Sequence, residues 1–300
     1  MIRVAWNEGY AHPLPEGHRF PMEKYLLVPE QLIHEGTVKS EQFFSPHPLT
    51  EREILLAHDA EYWSRLVSGK LTRQEERRSG FPWSPALVQR EIMIMGGTVQ
   101  CARYALQYGV SLNVAGGTHH AYRNRGEGFC LLNDLALAAL VLLEEGLIQK
   151  ALVVDLDVHQ GNGTASIFAD DARVFTFSMH GASNYPLHKE QSDIDVPLPD
   201  GITDEEYLNE LDMHWPNLLE KVKPDLVLYQ CGVDILNTDK LGRLGLSLEG
   251  CRERDRRILE GCYESEVPVV CAMGGGYSED LWQIVEAHCN TFRIANDLWV

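Results

Sequence analysis

Two carboxylates and an imidazole follow an apolar, strand-like run in the segment Asp155–His159, at a point where hydrophobic burial would normally end. In an extended segment alternate residues point to the same side, so Asp157 and His159 can offer one oxygen and one nitrogen to a single ion. These ligands suit zinc or a similar divalent metal, and other residues must complete the coordination shell. The alternative interpretation is a strand-end aspartate that caps the next helix, with the histidine on the surface.

Two further clusters offer the groups that a catalytic metal site needs. Asp234 follows the apolar run that ends near Gly232 and can supply a third ligand, which leaves a position for water as in catalytic zinc sites. The adjacent pair His119 and His120 follows another strand-like run and suits proton transfer. Taken alone, Asp234 is better explained as a turn or helix cap, and the histidines as hydrogen-bonded loop residues.

Two glycine-containing segments each add an aromatic side chain. Gly128 and Phe129 precede a predicted helix start, and Phe129 by itself is better explained as a core residue. The triple glycine Gly274–Gly276 forms a flexible loop before Tyr277, whose hydroxyl can donate a hydrogen bond to an oxyanion. Triple glycine also suggests a phosphate-binding loop, but neither a following Lys-Ser/Thr pair nor GxGxxG spacing supports nucleotide binding.

Short apolar runs that predict buried parallel strands precede most of these clusters. The runs are Val110–Ala115, Ala151–Val154, Arg173–Phe177, Asp225–Cys231 and Val267–Met273. Helical patterns lie between or after them: Leu135–Gly146 with Asn133 and Asp134 as caps, Thr203–Lys221, Leu248–Cys262 and Glu279–Ala295. The alternation predicts an α/β fold with an open, mostly parallel sheet flanked by helices. Ligands collect at the carboxyl ends of such strands, where the clusters are expected to meet.

Length and composition favour a single domain over residues 1–300. The chain is 44% apolar, enough for a large core, and no linker, low-complexity run or internal repeat divides it. The charged segment Leu71–Arg78 is the best candidate for an exposed loop. Seven cysteines without regular spacing indicate reduced core thiols rather than a disulfide framework.

The formal net charge of −18 argues against a nucleic-acid partner, because phosphate binding requires clustered Lys and Arg. It would instead favour the approach of cationic molecules. The N-terminal residues lack a signal-peptide core, and no apolar run reaches membrane-spanning length. These observations predict a soluble cytoplasmic protein that does not interact with membranes.

In order and spacing, the clusters resemble those of the histone deacetylase family, which has the arginase/deacetylase fold. The resemblance extends from the Tyr10–Pro13 segment to Tyr277, and the segment Asp157–Gly163 is more similar to class IV and bacterial members than to class I. It implies zinc bound by Asp157, His159 and Asp234. The arginase branch fits less well, because the region near Asp234 lacks the additional carboxylates for a second metal.

The resemblance also implies roles for the remaining polar residues. His120 would shuttle the proton, His119 would assist electrostatically, and Tyr277 would polarise the acyl carbonyl. Asp155 would support His119. Asn162 stands where class I enzymes carry aspartate, so the partner of His120 is neutral and the proton affinity of His120 should be lower.

Potassium and substrate positions follow from the same resemblance. One potassium site would use Asp155, Ser178 and the backbone carbonyls of Asp157, His159 and Met179, and a second would lie near Phe168, Asp171 and Val174. The acyl-lysine tunnel would lie between Gly128 and Phe129 on one side and Tyr185 on the other, beside Gly275 and Gly276. Arg19 would line an inner channel for the released carboxylate. The loop Gly80–Pro82 shows no match to the acidic rim residue of class I.

The leading functional hypothesis is therefore a zinc-dependent amidohydrolase that removes an acetyl or longer acyl group from a lysine side chain. The first alternative is an acetylpolyamine amidohydrolase, which the acidic composition would favour. A non-catalytic acyl-lysine binding protein is the second. Acyl-chain length, natural substrate, oligomeric state and the choice of Zn²⁺ or Fe²⁺ in the cell stay open, because specificity depends on the tunnel and its rim.

Overall fold

Eight strands form one sheet in the computed structural model, which describes residues 2–300. All neighbouring strands are parallel, in the order β2-β1-β3-β8-β7-β4-β5-β6. The strands are β1 (Arg3–Ala5), β2 (Phe43–Phe44), β3 (Val110–Asn113), β4 (Ala151–Asp155), β5 (Val174–Gly181), β6 (Ile194–Leu198), β7 (Leu226–Gln230) and β8 (Val269–Ala272).

In the described residues 2–300, ten α-helices accompany the sheet, as expected where crossovers between parallel strands are helical. They are α1 (Lys24–His34), α2 (Glu51–Ala57), α3 (Ala60–Val67), α4 (Arg73–Ser79), α5 (Pro85–Tyr108), α6 (Asp134–Glu144), α7 (Asn162–Phe168), α8 (Asp204–Val222), α9 (Leu248–Glu264) and α10 (Leu281–Trp299). The central strands β3, β4, β7 and β8 are buried along their whole length. This explains why β4, β7 and β8 are mostly apolar in the sequence, whereas β3 also carries the buried polar residues Ser111 and Asn113.

The strand register brings the ends of four strands into one row. Asn113 pairs with Ala272, Ala272 with Gln230, and Gln230 with Asp155, while Asp155 pairs with Ser178 inside β5. The loops that follow β3, β8, β7 and β4 therefore start side by side at the carboxyl edge of the sheet. This arrangement, rather than closeness in sequence, brings the polar clusters together.

The predicted α/β fold and five of its strands are confirmed, as are the helices α6, α8, α9 and α10. The prediction of an exposed loop at Leu71–Arg78 is wrong, because α4 occupies most of that segment. Thr72 accepts a hydrogen bond from the backbone of Glu75 at 3.2 Å, and the Glu75 carboxylate accepts one from the Thr72 backbone at 2.7 Å. Such a capping box stabilises a helix start even in a charged segment.

All seven cysteines are free and buried, as the sequence predicted. Within residues 2–300, no helix has both the length and the apolar character needed to cross a bilayer.

The buried Arg254 on α9 supports the loops that follow β4 and β7. Its guanidinium donates to the carbonyl oxygens of Leu156 at 3.1 Å and Gly232 at 2.7 Å, and it pairs with Asp255 at 2.9 Å. Both carboxylate oxygens of Asp255 are also used, by Tyr229 at 2.5 Å and Thr291 at 2.6 Å. The network is closed to solvent, so removal of the arginine leaves a buried charge and carbonyl groups without partners.

We expect Arg254→Met to lower the free energy of unfolding by about 3–5 kcal/mol, the usual cost of breaking a buried ion pair on one side. Urea unfolding followed by circular dichroism measures the change. Arg256→Met is the matched control on the same helix, because Arg256 forms only partly exposed pairs with Glu253 and Glu260. Loss of these ion pairs should lower the free energy of unfolding by roughly 0–1 kcal/mol. Equal effects of the two substitutions would contradict a supporting role for Arg254.

Candidate metal centre and active site

Asp157, His159 and Asp234 converge at the carboxyl edge of the sheet, in the loops after β4 and β7. One ligand atom from each lies within 4.8 Å of the others. The His159 Nδ1 atom is 3.0 Å from Asp157 Oδ1 and 3.1 Å from Asp234 Oδ2. Two carboxylates and one imidazole nitrogen therefore point to a common centre. The strand alternation expected along Asp155–His159 is not what brings them together, because β4 ends at Asp155 and the chain then bends. The His159 N–H donates to Asp157 Oδ1 at 3.0 Å and holds this bend.

Backbone groups fix both carboxylates from behind. Asp157 Oδ2 accepts from the Gly275 N–H at 3.0 Å, and Asp234 Oδ1 accepts from the Val158 N–H at 3.0 Å. A side chain at Gly275 is excluded, because a Cβ there would lie 2.1 Å from Asp234 Oδ2. This close approach explains the need for glycine in the loop before Tyr277.

The charges at this centre fit a divalent cation. Both carboxylates are almost fully buried, and burial together with the neighbouring Asp157 carboxylate raises the pKa of Asp234 to about 7. Two buried carboxylates this close repel each other unless a cation or proton lies between them. The donor set of two oxygens and one nitrogen is one that zinc accepts in catalytic sites.

The tandem histidines have different partners. His119 Nδ1 lies 2.6 Å from Asp155 Oδ2. His120 Nδ1 lies 2.6 Å from Asn162 Oδ1, and the Asn162 amide nitrogen donates to Glu127 at 3.2 Å. Because the Asn162 amide nitrogen faces a carboxylate, its oxygen faces His120, and His120 Nδ1 must carry the hydrogen. The other ring nitrogen, Nε2, is then the one with a free lone pair.

Burial also sets the charge of His120. It lowers the pKa of His120 well below the usual value, and the neighbouring His119 and His159 lower it further. The hydrogen bond to the neutral Asn162 raises the pKa of His120 less than a carboxylate partner would. His120 therefore favours the neutral form that can accept a proton.

Aromatic rings enclose the approach to the centre. Phe129 and Tyr185 border the outer pocket together with His120, His159 and Tyr277. The Phe129 and Tyr277 ring centroids are 5.8 Å apart, and Tyr185 lies across the pocket with its ring centroid 5.1 Å from that of His120. The two residues expected to form opposite walls of a tunnel thus line the same pocket, and Gly128 lines it as well.

Arg19 does not have the inner position expected for it. It is exposed and borders the outer pocket, whereas the inner pocket is bordered by the buried Arg90. Arg90 donates to the Tyr10 carbonyl at 2.6 Å and forms an ion pair with buried Glu91. The physical reason is that Arg19 lies in a surface loop before α1, whereas α5 passes directly behind the inner pocket.

The glycine loop divides its residues between the pocket and the core. Gly275 and Tyr277 border the inner pocket. Gly276, expected beside the substrate, borders neither the inner nor the outer pocket, and a Cβ there would lie 2.7 Å from Val233 and 3.3 Å from His288. A side chain at this position would point into the core, and contact of the Gly276 backbone with substrate stays a prediction.

The residues expected to bind potassium lie in two separate places. Asp155 and Ser178 are register partners, with Met179 next in β5. Phe168, Asp171 and Val174 lie in two consecutive turns, in which the Asp171 N–H donates to the Phe168 carbonyl at 3.0 Å and the Val174 N–H donates to the Asp171 carbonyl at 3.1 Å. The structure thus groups each set, and ion binding there stays a prediction.

Several residues that border or contact the pocket have no distinctive pattern in the sequence. Phe20, Tyr25, Arg90 and Cys130 border the inner pocket, and Glu127 contacts Asn162 and the Tyr185 hydroxyl. The one sequence feature that could have indicated Glu127 is its position directly before Gly128 and Phe129. No sequence feature marks Arg90 as a pocket residue, since an arginine within a helical pattern usually lies on the surface.

Comparison with known proteins places the chain in a family. A family model described as the histone deacetylase domain matches residues 18–292. An uncharacterized protein of Picosynechococcus sp. is 44% identical over 99% of both chains. Histone deacetylase 2 of Arabidopsis thaliana is 30% identical over 89% of this chain and 72% of its own length.

Solved structures share the fold. A crystal structure of a histone deacetylase homologue complexed with SAHA superposes with a TM-score of 0.85 at 24% identity, over 99% of this chain and 84% of that one. A homologue from Aquifex aeolicus gives a TM-score of 0.84 at 23% identity, over 98% and 84%. Because the match to the family model and the sequence identities cover most of the chain, this protein belongs to the histone deacetylase family.

Proposed function

We propose that this chain is a zinc-dependent amidohydrolase that removes an acyl group from the side-chain amine of lysine, with residues 1–300 acting as one deacetylase domain. One observation carries the proposal: His120 and Tyr277 border the same pocket as Asp157 and His159 of the three-ligand cluster. Proton transfer, oxyanion stabilisation and metal binding are thereby combined at one edge of the sheet.

Asp157, His159 and Asp234 would hold the zinc ion. When bound there, zinc supplies a Lewis acid that polarises the acyl carbonyl and lowers the pKa of water. The chain itself provides the burial that excludes bulk water and the hydrogen bonds that orient both carboxylates.

His120 is the general base and acid of the proposed reaction. Its Nε2 accepts a proton as water attacks the acyl carbon, and it returns that proton to the amine nitrogen when the amide bond breaks. Asn162 orients the ring through Nδ1. His119, held by Asp155, lies with its ring centroid 4.1 Å from that of His120 and influences it electrostatically.

Tyr277 is the proposed oxyanion donor. Its ring lies between Phe129 and Phe20 at centroid distances of 5.8 and 6.1 Å, and its backbone N–H donates to Asp239 at 2.6 Å. Burial raises the pKa of Tyr277 well above its usual value, so the hydroxyl keeps its proton and can donate it in a hydrogen bond.

We expect Tyr277→Phe to lower kcat by about 10²-fold or more, as for other oxyanion-hole donors, with a smaller change in KM. The substitution keeps the ring packing against Phe129 and Phe20. Steady-state kinetics on an acetyl-lysine peptide measures the effect, with Tyr263→Phe, at an exposed tyrosine on α9, as the control. Full activity of Tyr277→Phe would remove this residue from the mechanism.

Acetylated polyamines are the main alternative substrates, because the net charge of −18 attracts cations. A non-catalytic acyl-lysine binding protein is the other alternative, and it would have to keep the three ligands, both histidines and Tyr277 without turnover.

The deciding experiment compares initial rates of the zinc-loaded protein on one lysine peptide carrying an acetyl, octanoyl or myristoyl group, with an acetylpolyamine alongside and His120→Ala as control. Preference for a peptide supports lysine deacylation and gives the chain length. Preference for the polyamine would favour the first alternative. Zinc binding without His120-dependent turnover on any substrate would favour the second.

Potassium is proposed as a structural ion at the two sets of residues described above. Asp155 Oδ1 already accepts from the Asp157 N–H at 3.2 Å, and the Ser178 hydroxyl lies 2.9 Å from His180 Nδ1. Oxygen atoms are available there, and oxygen is the donor that hard cations prefer.

A further inference from the structure

The mouth of the outer pocket is basic on a chain that is acidic. Arg19, Arg77 and Arg78 border it, and all three are exposed. Throughout residues 2–300 the arginine ion pairs involve other residues, so these three guanidinium groups are not neutralised by a carboxylate. With 44 acidic and 26 basic residues in the chain, three unpaired arginines around one opening run against the overall charge.

Backbone hydrogen bonds hold these arginines next to the tunnel wall. The Gly128 N–H donates to the Arg78 carbonyl at 3.0 Å, and the Phe129 N–H donates to the Ser79 carbonyl at 2.7 Å. The end of α4 is therefore tied to the segment that forms one wall. The side chains of Arg77 and Arg78 take no part in these bonds and remain free to contact substrate.

Hydrogen bonds of His18 hold Arg19 next to the end of α4. His18 Nδ1 accepts from the Phe20 N–H at 3.1 Å, so its other nitrogen carries the hydrogen and donates to the Gly80 carbonyl at 2.8 Å. Arg19 lies between His18 and Phe20 in sequence, and its backbone is fixed on both sides. Three positive charges are thus positioned around one opening by main-chain contacts.

We infer that the preferred substrate is an acyl-lysine within an acidic peptide segment, an inference that rests on the proposed function. Guanidinium groups bind carboxylates through paired hydrogen bonds, and a positive mouth attracts anionic segments while repelling cations. An acylated polyamine keeps free ammonium groups and would meet three guanidinium groups at the entrance. The local charge therefore outweighs the net charge of the chain in selecting the substrate.

The test uses three acetyl-lysine peptides that differ only in the two residues on each side: Asp/Glu, Gln/Ser or Lys. Acetylspermidine is the fourth substrate and represents cationic small molecules. We expect kcat/KM to be at least about 10-fold higher for the acidic than for the basic peptide, mainly through KM. The ratio should shrink as salt is raised, because exposed charges are screened within about 8 Å at physiological ionic strength.

Substitution of the three arginines tests whether their side chains cause the preference for the acidic peptide. Arg77→Ala, Arg78→Ala and Arg19→Ala should each reduce the acidic-to-basic ratio, and the triple variant should bring it close to one. Arg52→Ala is the matched control, because Arg52 is an exposed arginine on α2 that does not border the pocket. It should leave the ratio unchanged.

The outcomes separate this inference from the proposed function. Equal rates on the three peptides, or preference for the basic peptide or acetylspermidine, would overturn the inference while the enzyme remained an active deacylase. A ratio that persists in the triple variant would also overturn it. Lack of turnover on every substrate, the neutral peptide included, would instead count against the proposed function.

Discussion

His120→Ala is expected to lower kcat by about 10²–10⁴-fold, the usual contribution of a general acid–base group. His119 is not an equivalent replacement, because the effect of its burial is outweighed by the carboxylates of Asp155 and Asp157, which raise the pKa of His119 to about 9, so it is already protonated near neutral pH. KM should change little, since His120 acts on the proton rather than on substrate binding. Steady-state kinetics on the preferred acyl-lysine peptide measures the loss.

Two controls accompany this variant. Zinc content should remain at the wild-type level, because His120 bonds to Asn162 and not to the proposed ligands. His34→Ala, at an exposed position at the end of α1, should keep full activity. If His120→Ala retained more than a tenth of the wild-type kcat, the proton-transfer role would have to move to another residue.

Asp234→Asn should abolish zinc binding and lower activity by roughly 10³-fold or more, because the loss of the Lewis acid removes several kcal/mol of transition-state stabilisation. Asparagine keeps the acceptor for the Val158 N–H, so the loop geometry should survive. Zinc content by atomic absorption and kcat/KM on the same peptide measure the two effects.

Thermal unfolding gives this second prediction a readout apart from activity. Burial and Asp157 raise the pKa of Asp234, so ionised Asp234 destabilises the metal-free fold at neutral pH and above. Metal-free Asp234→Asn should therefore be at least as stable as metal-free wild type, whereas added zinc should raise the Tm of wild type only. Asp297→Asn, at an exposed position on α10, should behave as wild type. A zinc-dependent rise in Tm for Asp234→Asn as large as that of wild type would exclude Asp234 as a ligand.

The carboxyl edge of the sheet was the most predictable part of the molecule. Buried parallel strands such as β4 and β7 are continuous apolar runs, and the polar residues after them stand out for that reason. Once the strands are known to be parallel, Asp157 and Asp234 must lie at the same edge. Register alone then brings together groups that are distant in sequence.

Other elements, such as β6 and α5, could not be predicted from the sequence, and the structure shows why. The edge strand β6 carries Asp195 and Pro197, so it lacks an apolar run. The long helix α5 contains two adjacent glycines that usually interrupt a helix. A Cβ at Gly96 would lie 1.9 Å from the His47 carbonyl oxygen, so close packing rather than a break explains that glycine. Only the tertiary structure reveals such contacts.

The pocket itself was predictable in part. Phe129 and Tyr185 were expected to be walls because of the family resemblance, but Arg90 and Glu127 depend on which helix and which loop pass nearby. The same limit applies to Arg19, to which the family resemblance assigned an inner channel for the released carboxylate. Its side chain instead borders the mouth, a position that follows from the hydrogen bonds of His18 and not from local sequence.

Main-chain carbonyl groups at the end of α4 attach the arginines of the pocket mouth to the pocket wall, and this determines which substitutions would disturb the wall. Every amino acid carries the carbonyl group that Arg78 and Ser79 use, so mutation of exposed residues on α4 leaves these bonds in place. Gly80 is different, because its φ is +82° and a Cβ there would lie 2.7 Å from the Phe129 ring. Under the role proposed for Arg77 and Arg78, substitutions at these two positions would change substrate preference without altering the backbone contacts of the pocket wall, whereas a side chain at position 80 would be strained by its φ and by contact with Phe129.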